Sequence, residues 1–292
     1  MKTMKILITG ANGQLAYELR DALATMRTQL GPIPNAYEGA HVTALGRSEL
    51  DIADMHAVDE LMRKARFDLI VNCAAMTNVD ACETDMEAAR SANAVGPQLL
   101  AFAAARAKSK LVHISTDYVF DGTAREPYVE SDLPNPQTVY GRSKLEGELF
   151  VSNFCERHFV VRTAWLYGRH GNNFVKTIQR LAREKGSVKV VDDQLGNPTC
   201  AVDVAHEILR IAATDAYGTY HCTNEGICSW HDFACAICEE NGISCDIAPC
   251  TSDECARPAK RPAFSALRNK HLEDTIGNEM RPWREALHAY FS

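Results

Sequence analysis

Short apolar runs alternate with stretches in which apolar residues return every third or fourth position. Ile6-Leu7-Ile8, between Lys5 and Thr9, is such a run, and behind it Leu15, Leu19, Leu23 and Met26 recur at helical spacing. The pattern predicts a strand, a turn and a helix, in that order. Further strands are predicted over His41–Leu45, 68–75 and Lys110–Thr116, with helices over 54–65 and 86–107 between them. Strands alternating with helices imply a parallel sheet covered on both faces. A strand over 158–167 and a helix over Phe174–Lys185 extend the series. Beyond Asp192 strands shorten, to 218–223 and 243–249, and helices are predicted over 202–214, Trp230–Glu240 and Trp283–Phe291. This change suggests a smaller C-terminal lobe.

The turn after the first strand, Gly10-Ala-Asn-Gly13-Gln-Leu-Ala16, adds chemistry to this pattern. Gly10 allows a tight turn, Gly13 lets backbone approach a pyrophosphate, and the small Ala16 permits close helix packing. The helix start supplies unpaired N–H groups and a positive dipole end. The expected fold is therefore an α/β Rossmann-type doubly wound parallel sheet with a smaller C-terminal α/β substrate-binding lobe. Residues 1–157 are expected to be mainly dinucleotide-binding, with later segments returning to that domain, and 158–292 mainly substrate-binding. Gly46-Arg47 ends the second strand where an acid would select NAD, and a guanidinium there suits a 2′-phosphate, so NADPH is expected.

Composition narrows the partners. The chain has 292 residues, 46% hydrophobic and 24% charged, with a formal net charge of −7. That balance disfavours nucleic acid or an anionic membrane as a partner and points to a small molecule. The N-terminal apolar run is too short for a signal peptide, and no stretch approaches 18 unbroken apolar residues, so a cytoplasmic protein is expected. Eleven cysteines in such a chain are expected to be reduced thiols. Cys235-Ala-Ile-Cys238 has zinc-like spacing. Yet Ser229-Trp-His-Asp232 looks like a capping box that would bury the pair within a helix, so no metal site is assigned. His113 and His221, in strands, are expected to be core or edge histidines.

Ser115-Thr116 at a strand end and Tyr140-x-x-x-Lys144 opening the next helix form a candidate catalytic set, because sites in such sheets lie at the strand carboxyl ends. A free phenol has a pKa of about 10, and a nearby ammonium is expected to lower it. Tyr140 would protonate a substrate oxygen held by Thr116, while Lys144 also holds the cofactor ribose.

The GxxGxx[GA] spacing resembles that of extended short-chain dehydrogenases/reductases. More closely, Ser115-Thr-Asp-Tyr-Val-Phe-Asp-Gly122, Pro134-Asn-Pro-Gln-Thr-Val-Tyr-Gly-Arg-Ser-Lys144, Arg162-Thr-Ala-Trp-Leu-Tyr-Gly168, Asp193-Gln-Leu-Gly-Asn-Pro-Thr199 and Arg261-Pro-Ala-Phe-Ser265 resemble the dTDP-4-dehydrorhamnose reductase family. The resemblance implies NADPH-dependent reduction of a nucleotide-sugar C4 ketone in rhamnose synthesis, with NADH accepted by some members. It implies Thr116, Tyr140 and Lys144 as catalytic. It implies a cofactor site of Gly10, Asn12, Gly13, Gln14, Leu15, Arg47, Asp51, Ile52, Ala74, Ala75, Thr77 and Asn93 with Tyr140 and Lys144. Thr77, Val79, Thr116, Asp117, Tyr118, Trp165, Asn173 and Arg261 are the implied substrate-binding set. Some relatives hold Mg2+ at a homodimer interface, a site not mapped onto residues here. Asp117-Tyr118 lacks the glutamate that sugar-nucleotide dehydratases carry. Two alternatives stay open: another nucleotide-sugar reductase or epimerase, and a non-catalytic NADP-binding regulatory subunit like that of methionine adenosyltransferase. Residues 25–40, with Pro32 and Pro34, are expected to form a loop at the domain edge.

Overall fold

Ile6, Leu7 and Ile8 are all sealed from solvent, as a strand covered on both faces requires. Ile6 and Ile8 join Leu15 and Leu19 in one core, whereas Leu7 joins Ile70 and Leu100 in another on the opposite face. In the computed structural model, which describes residues 3–255 and 257–292, this strand lies inside a six-stranded parallel sheet. Its strands are β1 (Lys5–Thr9), β2 (His41–Leu45), β3 (Leu69–Asn72), β4 (Lys110–Thr116), β5 (His158–Thr163) and β6 (Gly218–His221), in the order β2-β1-β3-β4-β5-β6. The expected Rossmann-type α/β fold is the one observed. Chain order reverses between β1 and β3, whose ends pair Thr9 with Asn72. A crevice opens beyond the strand ends at such a switch point.

A second core gathers Tyr167, Val175, Ile178, Phe233, Ile237, Trp283 and Leu287 from the helices Phe174–Lys185, Trp230–Glu240 and Trp283–Phe291 and the strand ends near them. The strand pair Ser187–Val191 and Asp246–Cys250, in parallel register, lies beside it. That pairing starts the latter strand three residues later, and ends it one residue later, than its apolar pattern suggests. Ser229 and Asp232 form the expected capping box, and Cys235 and Cys238 are free thiols within the helix.

Four differences from the sequence pattern stand out. β3 stops at Asn72, because the side chain of Asn72 accepts from the Ala74 backbone and turns the chain. β5 stops at Thr163, and Trp165 takes a left-handed φ of 45°. The helix expected over 86–107 contains a π segment, Ser91–Val95, before Gly96–Ala107. Pro97 has no N–H to return to the Asn93 carbonyl, which relieves the ordinary α ladder there. Residues 25–40 are ordered as a small hairpin, Arg27–Thr28 with Gly31–Pro32, and a 3-10 turn, Asn35–Tyr37. Tyr37 is buried and donates to Leu209 O at 2.8 Å, while Thr28 Oγ1 and His206 Nδ1 share a hydrogen bond of 2.8 Å. Among the described residues no helix is long and apolar enough to cross a membrane.

Candidate active site

Gly10 has φ of +67°, and a Cβ there would stand 2.7 Å from Ala74 N. Only glycine combines that backbone with that proximity. Gly13 N donates to Gly10 O at 2.9 Å, closing a turn into the helix Gln14–Thr25. The turn and the β3 end form one side of a cavity of about 840 Å³ at the switch point, lined by Gly10, Asn12, Gly13, Gln14, Leu15, Arg47, Asp51, Ile52, Ala74, Ala75 and Thr77. The cofactor set is thus brought together, apart from Asn93. Arg47 stands at the rim with its side chain 87% exposed, 3.7 Å from Asp51. Gln14 joins the turn to the second half of the chain, donating to Leu166 O at 3.0 Å and accepting from Asn173 Nδ2 at 3.3 Å.

Across the cavity the helix Val139–Phe154 carries Tyr140 and Lys144 one turn apart, facing the end of β4 at Thr116. Thr138 caps it, accepting from Gly141 N at 3.0 Å. Two glycines let it approach its neighbours backbone to backbone: a Cβ on Gly141 would meet Tyr118 O at 2.2 Å, and one on Gly147 would meet Asn93 O at 2.2 Å. Asn93 lies behind the cavity wall. It accepts from Met76 N at 2.8 Å and donates to Met76 O at 3.0 Å and Ser143 Oγ at 3.1 Å, bracing the β3 loop against the tyrosine helix. The glycines are visible in the sequence, but their partners depend on tertiary structure.

Burial governs the charges. It pushes the Tyr140 phenol up, against a lowering hydrogen bond from Thr116. Lys144 is not among the groups that offset this, although its spacing suggests it; its Nζ donates to Ile114 O at 2.5 Å. Burial brings Lys144 itself down to about 8, with Glu148 and Cys73 acting the other way. The phenol is therefore protonated at neutral pH. Asp117 accepts from Thr116 Oγ1 at 2.9 Å, and burial raises it to about 6 against the hydroxyls of Ser265 and Thr116. Cys73 lines the cavity, and burial pushes its thiol up to about 12, too high to supply a thiolate at neutral pH. His113 and His221 are fully buried, and burial lowers both.

At the far end Thr77, Val79, Asp117, Tyr118 and Trp165 line the cavity, joined by Trp230 and Asn172, which sequence reasoning did not single out. Asn173 instead caps the helix Phe174–Lys185, accepting from Lys176 N at 3.1 Å. Arg261 lies outside the main cavity in an adjoining pocket of about 300 Å³ that shares Tyr118, and its Nη2 donates to Asp80 at 3.0 Å. One group among the described residues, Asp192, His231 and Asp232, brings metal-ligand types together. Its carboxylates already serve the helix cap, accepting from Ser229 Oγ at 2.6 Å and from Ser229 N at 3.2 Å.

Residues 4–292 match the family model described as RmlD substrate binding domain. The chain is 40% identical to a dTDP-4-dehydrorhamnose reductase of Mycobacterium tuberculosis, over 98% of this chain and 92% of that one. It is similar to the crystal structure of a dTDP-4-dehydrorhamnose reductase from Clostridium acetobutylicum, with a TM-score of 0.93, 46% identity and 98% of each chain covered. It is also similar to the Bacillus anthracis dTDP-4-dehydrorhamnose reductase solved in complex with NADP, with the same TM-score of 0.93, 37% identity and 99% of each chain covered.

Proposed function

The chain belongs to the RmlD substrate binding domain family, and from that premise we propose that it is an NADPH-dependent oxidoreductase reducing the C4 ketone of dTDP-4-dehydro-L-rhamnose to dTDP-L-rhamnose, the last step in making this activated deoxysugar. The observation that carries the reading is one cavity holding both the glycine turn and the trio Thr116, Tyr140 and Lys144.

The residues fit a dinucleotide. A pyrophosphate would lie over Gly13 and the helix N-terminus, and Arg47 is the partner for a 2′-phosphate, favouring NADPH over NADH. When bound, the nicotinamide supplies the hydride. Thr116 orients the substrate oxygen, and Tyr140, kept protonated by burial, delivers the proton to that oxygen. Lys144 holds the ribose hydroxyls. Thr77, Val79, Asp117, Tyr118 and Trp165 form the sugar end, and the second core around Phe233 and Trp283 belongs to the substrate lobe. Arg261 serves the diphosphate from the adjoining pocket. Tyr118 stands where an elimination would need a general base, which supports simple reduction over dehydration.

The test is NADPH oxidation, followed by absorbance, with dTDP-4-dehydro-L-rhamnose. The native protein should consume one NADPH per product. Tyr140→Phe should bind NADPH normally and turn over roughly 10²–10⁴-fold more slowly. A folded, NADPH-binding native protein with no turnover refutes the reading, and product formed without net NADPH consumption would favour an epimerase.

A further inference from the structure

Thr138 answers only one of the free amides at the start of the tyrosine helix, that of Gly141 in its third position. An α-helix opens with amides that have no intrahelical acceptor, and a buried one left unpaired is costly. The first of them here belongs to Val139, the buried residue directly before Tyr140. Its N–H donates at 2.8 Å to Oε1 of Glu83, a side chain 56 residues earlier in the chain. The carboxylate also stands at the positive end of the helix dipole, which favours a negative charge.

Glu83 is itself on a fixed element. Its short helix, Val79–Thr84, is capped by Asn78, which accepts from Ala81 N at 3.0 Å. Asp80, three residues before Glu83, accepts from Ala259 N at 3.1 Å and from Arg261 Nη2 at 3.0 Å. Cys82, beside Glu83, is sealed from solvent in one cluster with Val139 and Tyr140. Tyr140 thus lies between two held amides, Val139 by Glu83 and Gly141 by Thr138. Lys144, one turn further in, has a separate anchor at Ile114 O.

We infer that Glu83 is a positioning residue for the reduction: by holding the Val139 amide it fixes the first turn of the tyrosine helix, so that the Tyr140 hydroxyl reaches the oxygen it protonates. A general acid works only within hydrogen-bond reach, and a misplacement of about 1 Å can cost on the order of a hundredfold in rate. This inference rests on the reductase reading above. It places the effect of Glu83 on proton delivery and not on binding, because Lys144 keeps its own anchor and the glycine turn lies across the cavity.

Steady-state turnover of the full chain with NADPH and dTDP-4-dehydro-L-rhamnose tests it. Glu83→Asp keeps the charge and loses the reach, being one methylene shorter, whereas Glu83→Gln keeps the reach and an acceptor oxygen without the charge. Glu83→Asp should lower kcat about tenfold with both KM values unchanged. Its solvent deuterium isotope effect on kcat should rise, since proton delivery from a displaced Tyr140 becomes the slow step, and Glu83→Gln should restore most of the rate. If Glu83→Asp does not fold, Val139→Pro deletes the amide at a helix position that suits proline, after a Thr138 already extended, and should show the same loss. Native kcat in folded Glu83→Asp overturns the inference, as does a Glu83→Gln equally slow, or a loss confined to KM. Native protein without turnover refutes the reductase reading itself.

Discussion

Lys144 shows how a single residue sets function against stability. Its pKa falls from the usual 10.5 to about 8, chiefly through burial, and Glu148 resists the fall. Glu148 is fixed by the buried Arg162, whose Nε lies 3.0 Å and Nη2 2.7 Å from its carboxylate oxygens. Below pH 8 the ammonium is charged in both folded and unfolded chains, and burying it costs stability. Between about 8 and 10.5 the unfolded chain binds more protons than the folded one, so the lysine's contribution to stability rises with pH. Activity should move the opposite way, with kcat/KM falling above about pH 8 along a single-proton limb. Lys144→Met should be inactive yet more stable than the native protein by roughly 1–2 kcal/mol at neutral pH, the relief of the buried charge less one lost hydrogen bond. Denaturant titrations at pH 7 and pH 10 check this, and a gap that does not shrink at pH 10 excludes the mechanism.

Among the elements, the tyrosine helix is the most tightly placed. Gly147→Ala would drive a Cβ to within 2.2 Å of the Asn93 carbonyl, backbone that cannot swing aside. The expected cost is about 1–3 kcal/mol, with loss of the Asn93 brace and of activity. A melting temperature within a degree of the native value would contradict it. The strands β1, β2 and β4 were legible to the residue: β1 and β4 are short, mostly buried β-rich runs, and the half-exposed edge strand β2 keeps the same β-rich composition between turn residues. The helices Phe174–Lys185 and Trp230–Glu240 were equally legible, from their apolar spacing and, for the second, from the capping box at Ser229, whereas the cap at Asn173 was not read as one. Tyr140 and Lys144 could be paired from the sequence because an i, i+4 pair at a helix start is a local signal, and Thr116 from its place at a strand end; all three line one cavity. The π segment, the turn at Trp165 and the place of Trp230 were not, since each depends on contacts between residues far apart in sequence. The proton affinity of Tyr140 was misjudged for a related reason: spacing shows that an ammonium is near, but not how deeply the phenol is buried.

At the scale of the whole molecule, residues 25–40 join parts that the sheet alone does not. Gln29 Nε2 donates to Ala289 O at 3.2 Å, Arg281 reaches Gln29 at 3.2 Å, and Tyr37 reaches the helix Ala201–Ala212. A segment that departs from the usual strand-helix connection is thus a strap from the first helix to the last. Tyr37→Phe should destabilise the fold by about 1 kcal/mol without changing KM for NADPH, because it removes one buried hydrogen bond far from the cavity. A change in NADPH affinity would show that the strap reaches the site.

The paired indoles of Trp165 and Trp230 have an optical consequence. Two parallel chromophores 3.6 Å apart share their excited states, whereas Trp283, the third tryptophan, meets Phe233 edge-on. The native protein should therefore show self-quenched indole emission that is partly relieved in Trp230→Phe. The cavity end lined by Trp165 and Trp230 carries its own spectroscopic label, able to follow ligand arrival in unmodified protein.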